Sequence, residues 1–145
     1  MPVTVKSIVI WRKEIDNQVG VLARTLEPLQ KAGADLQVVM AYRYPGNEEK
    51  AAVEVYPVSS KKLTTAATET GLTAASIPAL LVEGDNKPGL AHSIAQAVAE
   101  AGLNLSFLVA HVVGRRYAAT IGFENEADAK KAAALIKKVT TRRKK

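Results

Sequence analysis

Residues Glu14–Ala41 read EIDNQVGVLARTLEPLQKAGADLQVVMA, and residues Glu83–Ala110 read EGDNKPGLAHSIAQAVAEAGLNLSFLVA. Set at an offset of 69, the two stretches agree at eight of 28 positions. Ordinary residue usage would give roughly two agreements by chance. The identities include Asp16/Asp85, Asn17/Asn86, Gly20/Gly89, Gly33/Gly102 and Leu36/Leu105. Self-similarity at one fixed offset is the mark of a duplicated structural unit. The 145 residues therefore read as two modules of one plan, where length alone suggests a single domain.

Working outward from the repeat, VTVKSIVIW is apolar on both parities and predicts one buried strand opening the first module. DNQVG starts a helix whose stripe is Val21, Leu22, Leu26 and Leu29, and Gly33 ends it. Pro28 inside that helix predicts a kink or an early end, because proline removes a hydrogen bond at a cost of ~3 kcal/mol. ADLQVVMAYRY, the PGN turn and AAVEVYPV form a hairpin. SSKKLTTAATETGL is a weaker helix with a serine start and a glycine stop, and TAASIP is a short fourth strand. The second module repeats the order: PALLVEG, DNKPG, a helix with Leu90, Ile94, Ala97, Val98 and Ala101 inward, and a hairpin through Gly114. Its last helix, ENEADAKKAAALIKK, is capped by Asn125. TTRRKK follows and has no strand character, so its fourth strand is missing or very short.

Strand, helix, strand, strand, helix, strand is the split βαβ plan. The expected fold class is α+β: two ferredoxin-like βαββαβ modules, each an antiparallel sheet covered by helices on one face. The expected boundaries are 1–76, 77–139 and a basic tail at 140–145. A module of ~70 residues is marginal alone and gains from pairing with its twin.

Composition narrows the function. Apolar residues are 48% and charged residues 23%, ordinary for a globular protein. With no cysteine, thiolate chemistry, cysteine metal sites and disulfides are excluded. No apolar run approaches the ~20 residues of a membrane span, and MPVTVKSIVIW lacks the basic n-region of a signal peptide. A soluble cytoplasmic protein with no membrane partner is expected. His92 and His111 have no sequence-near triad partners, and neither metal spacing, a phosphate loop nor a dinucleotide fingerprint is present. No enzyme activity, metal or cofactor is expected.

DNKPG is the most informative turn. Asp85 or Asn86 suits the cap of the following helix, Pro88 its first position, and Gly89 a close backbone approach. The free N–H groups of that helix start would seat a carboxylate. The same residues also make an ordinary strand-to-helix turn.

Twice the chain shows a strand, D-N-x-(P)-G, an amphipathic helix ending in A-G, and a second strand. This resembles the ACT domain, a small ferredoxin-like regulatory module that binds amino acids, over nearly the whole length. The resemblance implies an effector amino acid held between two modules, touching the turn after one strand and the start of another. Carried over, the ligand-binding residues are Asp85, Asn86, Lys87, Pro88, Gly89 and Asn104, the last being the polar position of GLNL. Leu90, with Leu103 or Val21, would line the side-chain pocket. In the first module the matching residues are Asp16, Asn17, Gln18, Val19 and Gly20. There Val19 replaces the proline and Asp35 replaces Asn104, so a carboxylate would repel the ligand's carboxylate, though it could hold its ammonium group.

The function these residues imply is a non-catalytic sensor acting through an amino-acid effector, pairing of modules into a homo-oligomer such as a dimer, and a regulated enzyme. The alternative is a ferredoxin-like nucleic-acid-binding protein using its basic C-terminal helix and tail. The net charge of +6 first suggests that alternative. Residues 128–145 hold eight Lys or Arg against Asp128 alone, a net of +7, whereas residues 1–127 hold 12 bases and 13 acids, a net of −1. The charge belongs to one terminal segment. No K/R-G-F/Y-G/A-F run appears, and aromatics are 5%, so nucleic acid is the less favoured partner.

Overall fold

The computed structural model describes residues 3–75 and 77–141. The elements in chain order are β1 (Thr4–Ile8), β2 (Trp11–Asp16), α1 (Val21–Lys31), β3 (Val38–Tyr44), β4 (Asn47–Tyr56), α2 (Lys61–Glu69), β5 (Thr73–Ala74), β6 (Ala79–Asp85), α3 (Leu90–Glu100), β7 (Leu105–Val113), β8 (Arg116–Phe123) and α4 (Glu126–Thr141). They form two antiparallel four-stranded sheets, ordered β3-β4-β2-β5 and β1-β6-β8-β7. Numbered from the strand before each D-N turn, both orders are 4-1-3-2. Each unit is thus a ferredoxin-like α+β module, as the repeat predicts.

The structure corrects the membership of the N-terminal residues. VTVKSIVIW is not one strand. Thr4–Ile8 pair with Glu83–Ala79 in the second sheet, and Trp11–Asp16 pair with Val55–Lys50 in the first. The compact units are 9–75 and 3–8 together with 77–141. The reason is an unfilled edge. Among the described residues no strand follows β8, which leads into α4, and the outer neighbour of β6 is β1 from the N-terminal segment. The fourth strand expected to be missing is β1. Gly84 accommodates this closely: a Cβ there would lie 3.0 Å from Val3 Cγ1 and 3.1 Å from Val3 Cα.

Unit 9–75 packs Ile15, Leu29, Val53, Val55, Leu63 and Leu72 between its sheet and helices. The other unit packs Leu80, Val82, Ile94, Val98, Ile121, Phe123 and Ile136. Burying each such side chain is worth roughly 1.5–3 kcal/mol. On α3 the predicted residues Leu90, Ile94, Ala97 and Val98 are buried and Ala101 half-buried. On α1 only Leu29 of the predicted stripe is fully buried, with Thr25, while Leu22 turns outward. α1 does not end early at Pro28 but continues to Lys31. Only its last turn follows the proline, and fully buried Leu29 fastens that turn to the core.

Ser60 caps α2 by accepting from Leu63 N–H at 3.1 Å, and Asn125 Oδ1 accepts from Asp128 N–H at 2.8 Å at the start of α4. Both caps are as the sequence predicts. α4 extends through Thr141, so residues 140–141 are helical rather than tail. The rest of the predicted tail, 142–145, lies outside the described residues.

Candidate functional site

The two D-N turns have one geometry. Asp16 ends β2 opposite Lys50, and Asp85 ends β6 opposite Arg116. Each aspartate accepts from its base, Asp16 from Lys50 Nζ at 2.8 Å and Asp85 from Arg116 Nη1 at 2.9 Å. Each following asparagine donates its backbone N–H across the sheet end, Asn17 to Glu49 O and Asn86 to Arg115 O. The chain then turns, Val21 N–H bonding Gln18 O and Leu90 N–H bonding Lys87 O. Gly20 and Gly89 both sit at φ +83°, in the left-handed region that glycine enters freely.

Those glycines are the N-caps of α1 and α3, and neither helix has a side-chain cap or an acidic residue in its first turn. This corrects the expected roles of Asp85, Asn86 and Pro88. The carboxylate is engaged by Arg116, no side-chain oxygen reaches the helix, and Pro88 precedes the cap. The left-handed glycine turns the chain so that the helix begins only at Leu90. Leu90 itself is a core residue, 8% exposed. Among the described residues, Leu22 and Ala23 N–H in α1 and Ala91 and His92 N–H in α3 have no protein acceptor. α2 and α4 are capped, so the two uncapped helix starts are those following the D-N turns.

Asn104 is exposed, one residue before β7, and is not gathered with Asp85–Leu90. Leu105 pairs with Phe123 at one end of β8, and Asp85 pairs with Arg116 at the other. Seven strand steps separate the two ends, about 23 Å. Asp35 stands off from Asp16 in the same way, since Val38 pairs with Tyr56 while Asp16 pairs with Lys50. Within one unit the turn and the strand-start residue lie at opposite ends of the sheet.

No protein-family model and no curated protein matches the sequence. Solved structures do match. Protein BT0572 from Bacteroides thetaiotaomicron superposes with a TM-score of 0.73 at 14% identity, over 90% of this chain and 88% of that one. The ligand-free regulatory subunit of aspartate kinase from Thermus thermophilus superposes with a TM-score of 0.64 at 18% identity, over 96% and 97%. Aspartokinase III of E. coli, in complex with aspartate and ADP, gives a TM-score of 0.59 at 9% identity, over 96% of this chain and 32% of that one. The fold is ACT-like.

In the first ACT-like unit, Asp16, Asn17, Gln18, Arg43, Glu48, Glu49 and Lys50 line a cleft of about 590 Å³. Asn17 Nδ2 donates to Glu48 O at 2.9 Å and fixes one wall. The hydrogen bond and charge of Lys50 hold the Asp16 carboxyl below its usual range, and Asp16 raises Lys50 in return. Both groups are exposed and paired, so the cleft presents polar groups already in use. His92 and His111 are both exposed, and among the described residues no three His, Asp or Glu gather as a metal site. No described helix is long and apolar enough to cross a membrane.

One polar cluster escaped the sequence reading. Arg12, Glu54, Tyr42 and Tyr44 meet on the first sheet, on the face opposite Val53 and Val55. Glu54, only 4% exposed, accepts from Tyr42 Oη at 2.5 Å and from Arg12 Nε at 3.4 Å. Arg12 Nη2 donates to Tyr44 Oη at 2.7 Å. Burial opposes the Arg12 charge, but the hydrogen bonds to Tyr44 and Tyr42 outweigh it and its pKa rises. Burial, then the Glu54 bond and charge, push Tyr42 up. The cluster ties β2, β3 and β4 together and satisfies itself. Equal parity of Arg12, Tyr42 and Glu54 was visible in sequence, but register was not.

Proposed function

We propose that this protein is a non-catalytic regulatory module that binds a free amino acid at its D-N turns. The carrying observation is the pair of uncapped helix starts. α1 and α3 each leave N–H groups free at a positive dipole end. At α3 Gly89 keeps the approach open, whereas at α1 the Arg24 guanidinium lies against Gly20. A ligand carboxylate would supply the acceptors that Ser60 and Asn125 supply in the other two helices. The likeness to an aspartate kinase regulatory subunit, and to an aspartokinase solved with aspartate, supports a regulatory role and this ligand class.

Asp85, Asn86, Lys87, Pro88, Gly89 and Leu90 would shape the seat in one unit, and Asp16, Asn17 and Gly20 in the other. Asn104 would complete a site only with the turn of another module, because its own turn lies at the far end of the sheet. The output would be a population shift between module arrangements, passed to a regulated enzyme. β7 supports a homo-oligomer. It is an edge strand of nine residues without a formal charge, and it exposes Val109, Val112 and Val113. Such an edge invites another strand.

The test is thermal melting against each of the twenty amino acids at millimolar concentration. A ligand specific for the folded state at 100 times its Kd adds about 2.7 kcal/mol and raises Tm. Asn104→Ala should weaken that shift without unfolding the protein. No shift with any amino acid, together with salt-dependent binding of nucleic acid, would replace this reading with the alternative.

A further inference from the structure

A groove of about 670 Å³ runs between α1 and α2. Half-buried Pro28, Ala32 and Ala66 form its floor, and exposed Lys31, Lys61 and Lys62 stand around one end. Glu69 stands further along α2. All lie in one unit.

The lysines are placed against local physics. Lys61 and Lys62 open α2, whose first turn holds no acid and whose last turn holds no base. Glu69 closes that helix. Every charge on α2 therefore opposes the macrodipole, which favours acids at the start and bases at the end. Sequences that break a local rule with no internal compensation tend to do so at functional surfaces. Lys31 leans on Glu27 at 3.4 Å, whereas Lys61 and Lys62 form no ion pair among the described residues. The groove has an apolar base, unspent positive charge at one end and a negative charge at the other.

We propose that this groove docks an acidic amphipathic helix of the protein that the module regulates. Apolar side chains of the helix cover Pro28, Ala32 and Ala66, and its carboxylates meet Lys31, Lys61 and Lys62. This is recognition of a helix in a groove, with specificity carried by charge. The small floor residues let a helix backbone approach closely. Glu69 sets the direction by repelling the acidic end. The proposal rests on the regulatory reading for its partner, but the surface is separate from the D-N turns.

The probe is a synthetic helical peptide of about 16 residues, with leucines on one face flanked by glutamates at one end. Its control carries lysines in place of the glutamates. Amide shifts of the full chain are followed during titration. The acidic peptide should move signals of residues 28–32 and 61–69 and bind at least tenfold more tightly than the control. The triple variant Lys31→Gln, Lys61→Gln, Lys62→Gln should lose that preference. Its Tm should stay close to the parent's, since the loss of two charges unfavourable to α2 offsets the loss of Lys31, which favours the end of α1 and pairs with Glu27. Equal binding of both peptides, binding elsewhere, or no binding at 1 mM overturns the proposal. The amino-acid melting screen on the same variant separates the two readings. A retained amino-acid shift with no peptide binding rejects the groove alone. Peptide binding without any amino-acid shift in the parent rejects the effector reading alone.

Discussion

Asp85 Oδ1 and Arg116 Nη1 meet at 2.9 Å on the rung that ends the β6–β8 ladder, the rung occupied in the other unit by Asp16 and Lys50. Both pairs lie beside an uncapped helix start, so the local field is set by a carboxylate already neutralised by its base. Exposed pairs of this kind add at most ~1 kcal/mol to stability. Arg116→Gln should therefore shift the denaturation midpoint little. It should weaken amino-acid binding several-fold, because the unpaired Asp85 repels the ligand carboxylate. Calorimetric titration beside a urea melt separates the effects, and a large stability loss with unchanged affinity would assign the pair to the fold.

Gly89 isolates the backbone requirement of the turn. Its φ is +83°, yet a Cβ would meet nothing within 4 Å. Gly89→Ala thus carries only the left-handed cost, roughly 1–2 kcal/mol. The corresponding Gly20 would bring a Cβ to 3.0 Å from Arg24 Nη1, the movable end of a flexible side chain. Matching losses for Gly20→Ala and Gly89→Ala in urea melts are expected. A loss below a few tenths of a kcal/mol would show that the turn relaxes out of this geometry.

Tyr117 is 4% exposed, and its hydroxyl has no partner among the described residues. An unsatisfied buried hydroxyl costs roughly 1–3 kcal/mol, so Tyr117→Phe should be neutral or stabilising. Burial raises the Tyr117 pKa above its ordinary value of 10.0. Below that value the tyrosine is neutral in both states. Above it the unfolded chain ionises first, so stability falls as pH rises past about 10. The phenylalanine variant should lose less stability than the parent between pH 9 and pH 11. Identical alkaline profiles would show that Tyr117 does not contribute to the alkaline loss of stability.

β7 is the edge to test for assembly. The other edges are self-protecting: β1 carries Lys6, β3 carries Arg43, and β5 has two residues. Pairing β7 with its own copy sets no like charges opposite each other. If β7 pairs with its own copy, the parent should run as a dimer in light scattering and Val109→Lys with Val113→Lys should run as a monomer. A dimer that survives both substitutions would place the contact elsewhere.

The periodic features were legible in sequence because they are local. The offset of 69 announced the duplication, Ser60 and Asn125 announced their caps, and glycines announced the turns. What remained hidden depended on pairing across distance. Arg12 and Glu54 are 42 residues apart, and their meeting depends on the register of β2 on β4. The separation of Asn104 from Asp85 likewise follows from which end of β8 each neighbours. The pattern around Asp85 and Asn86 does not distinguish a side-chain-capped helix start from a left-handed glycine one, because both favour Asp, Asn and Pro ahead of the helix.

The N-terminal strand depends on distant pairing most of all. VTVKSIVIW satisfies the apolar pattern of one strand, and nothing local says that the chain leaves one sheet at Ile8 and enters another at Trp11. The decision is made by β6, whose outer edge would otherwise expose backbone groups beside Leu80 and Val82. Val5 pairs with Val82 and packs against the core of that unit. Val5→Asp places a charge there and should cost at least about 2 kcal/mol. Gly84→Ala should act in the same direction by about 1–3 kcal/mol, since its methyl would press on the Val3 backbone. Hydrogen exchange locates the damage. Amides in 77–141 should lose protection in both variants, while those in 11–75 keep theirs. Loss confined to 11–75 would instead return residues 4–8 to the first sheet.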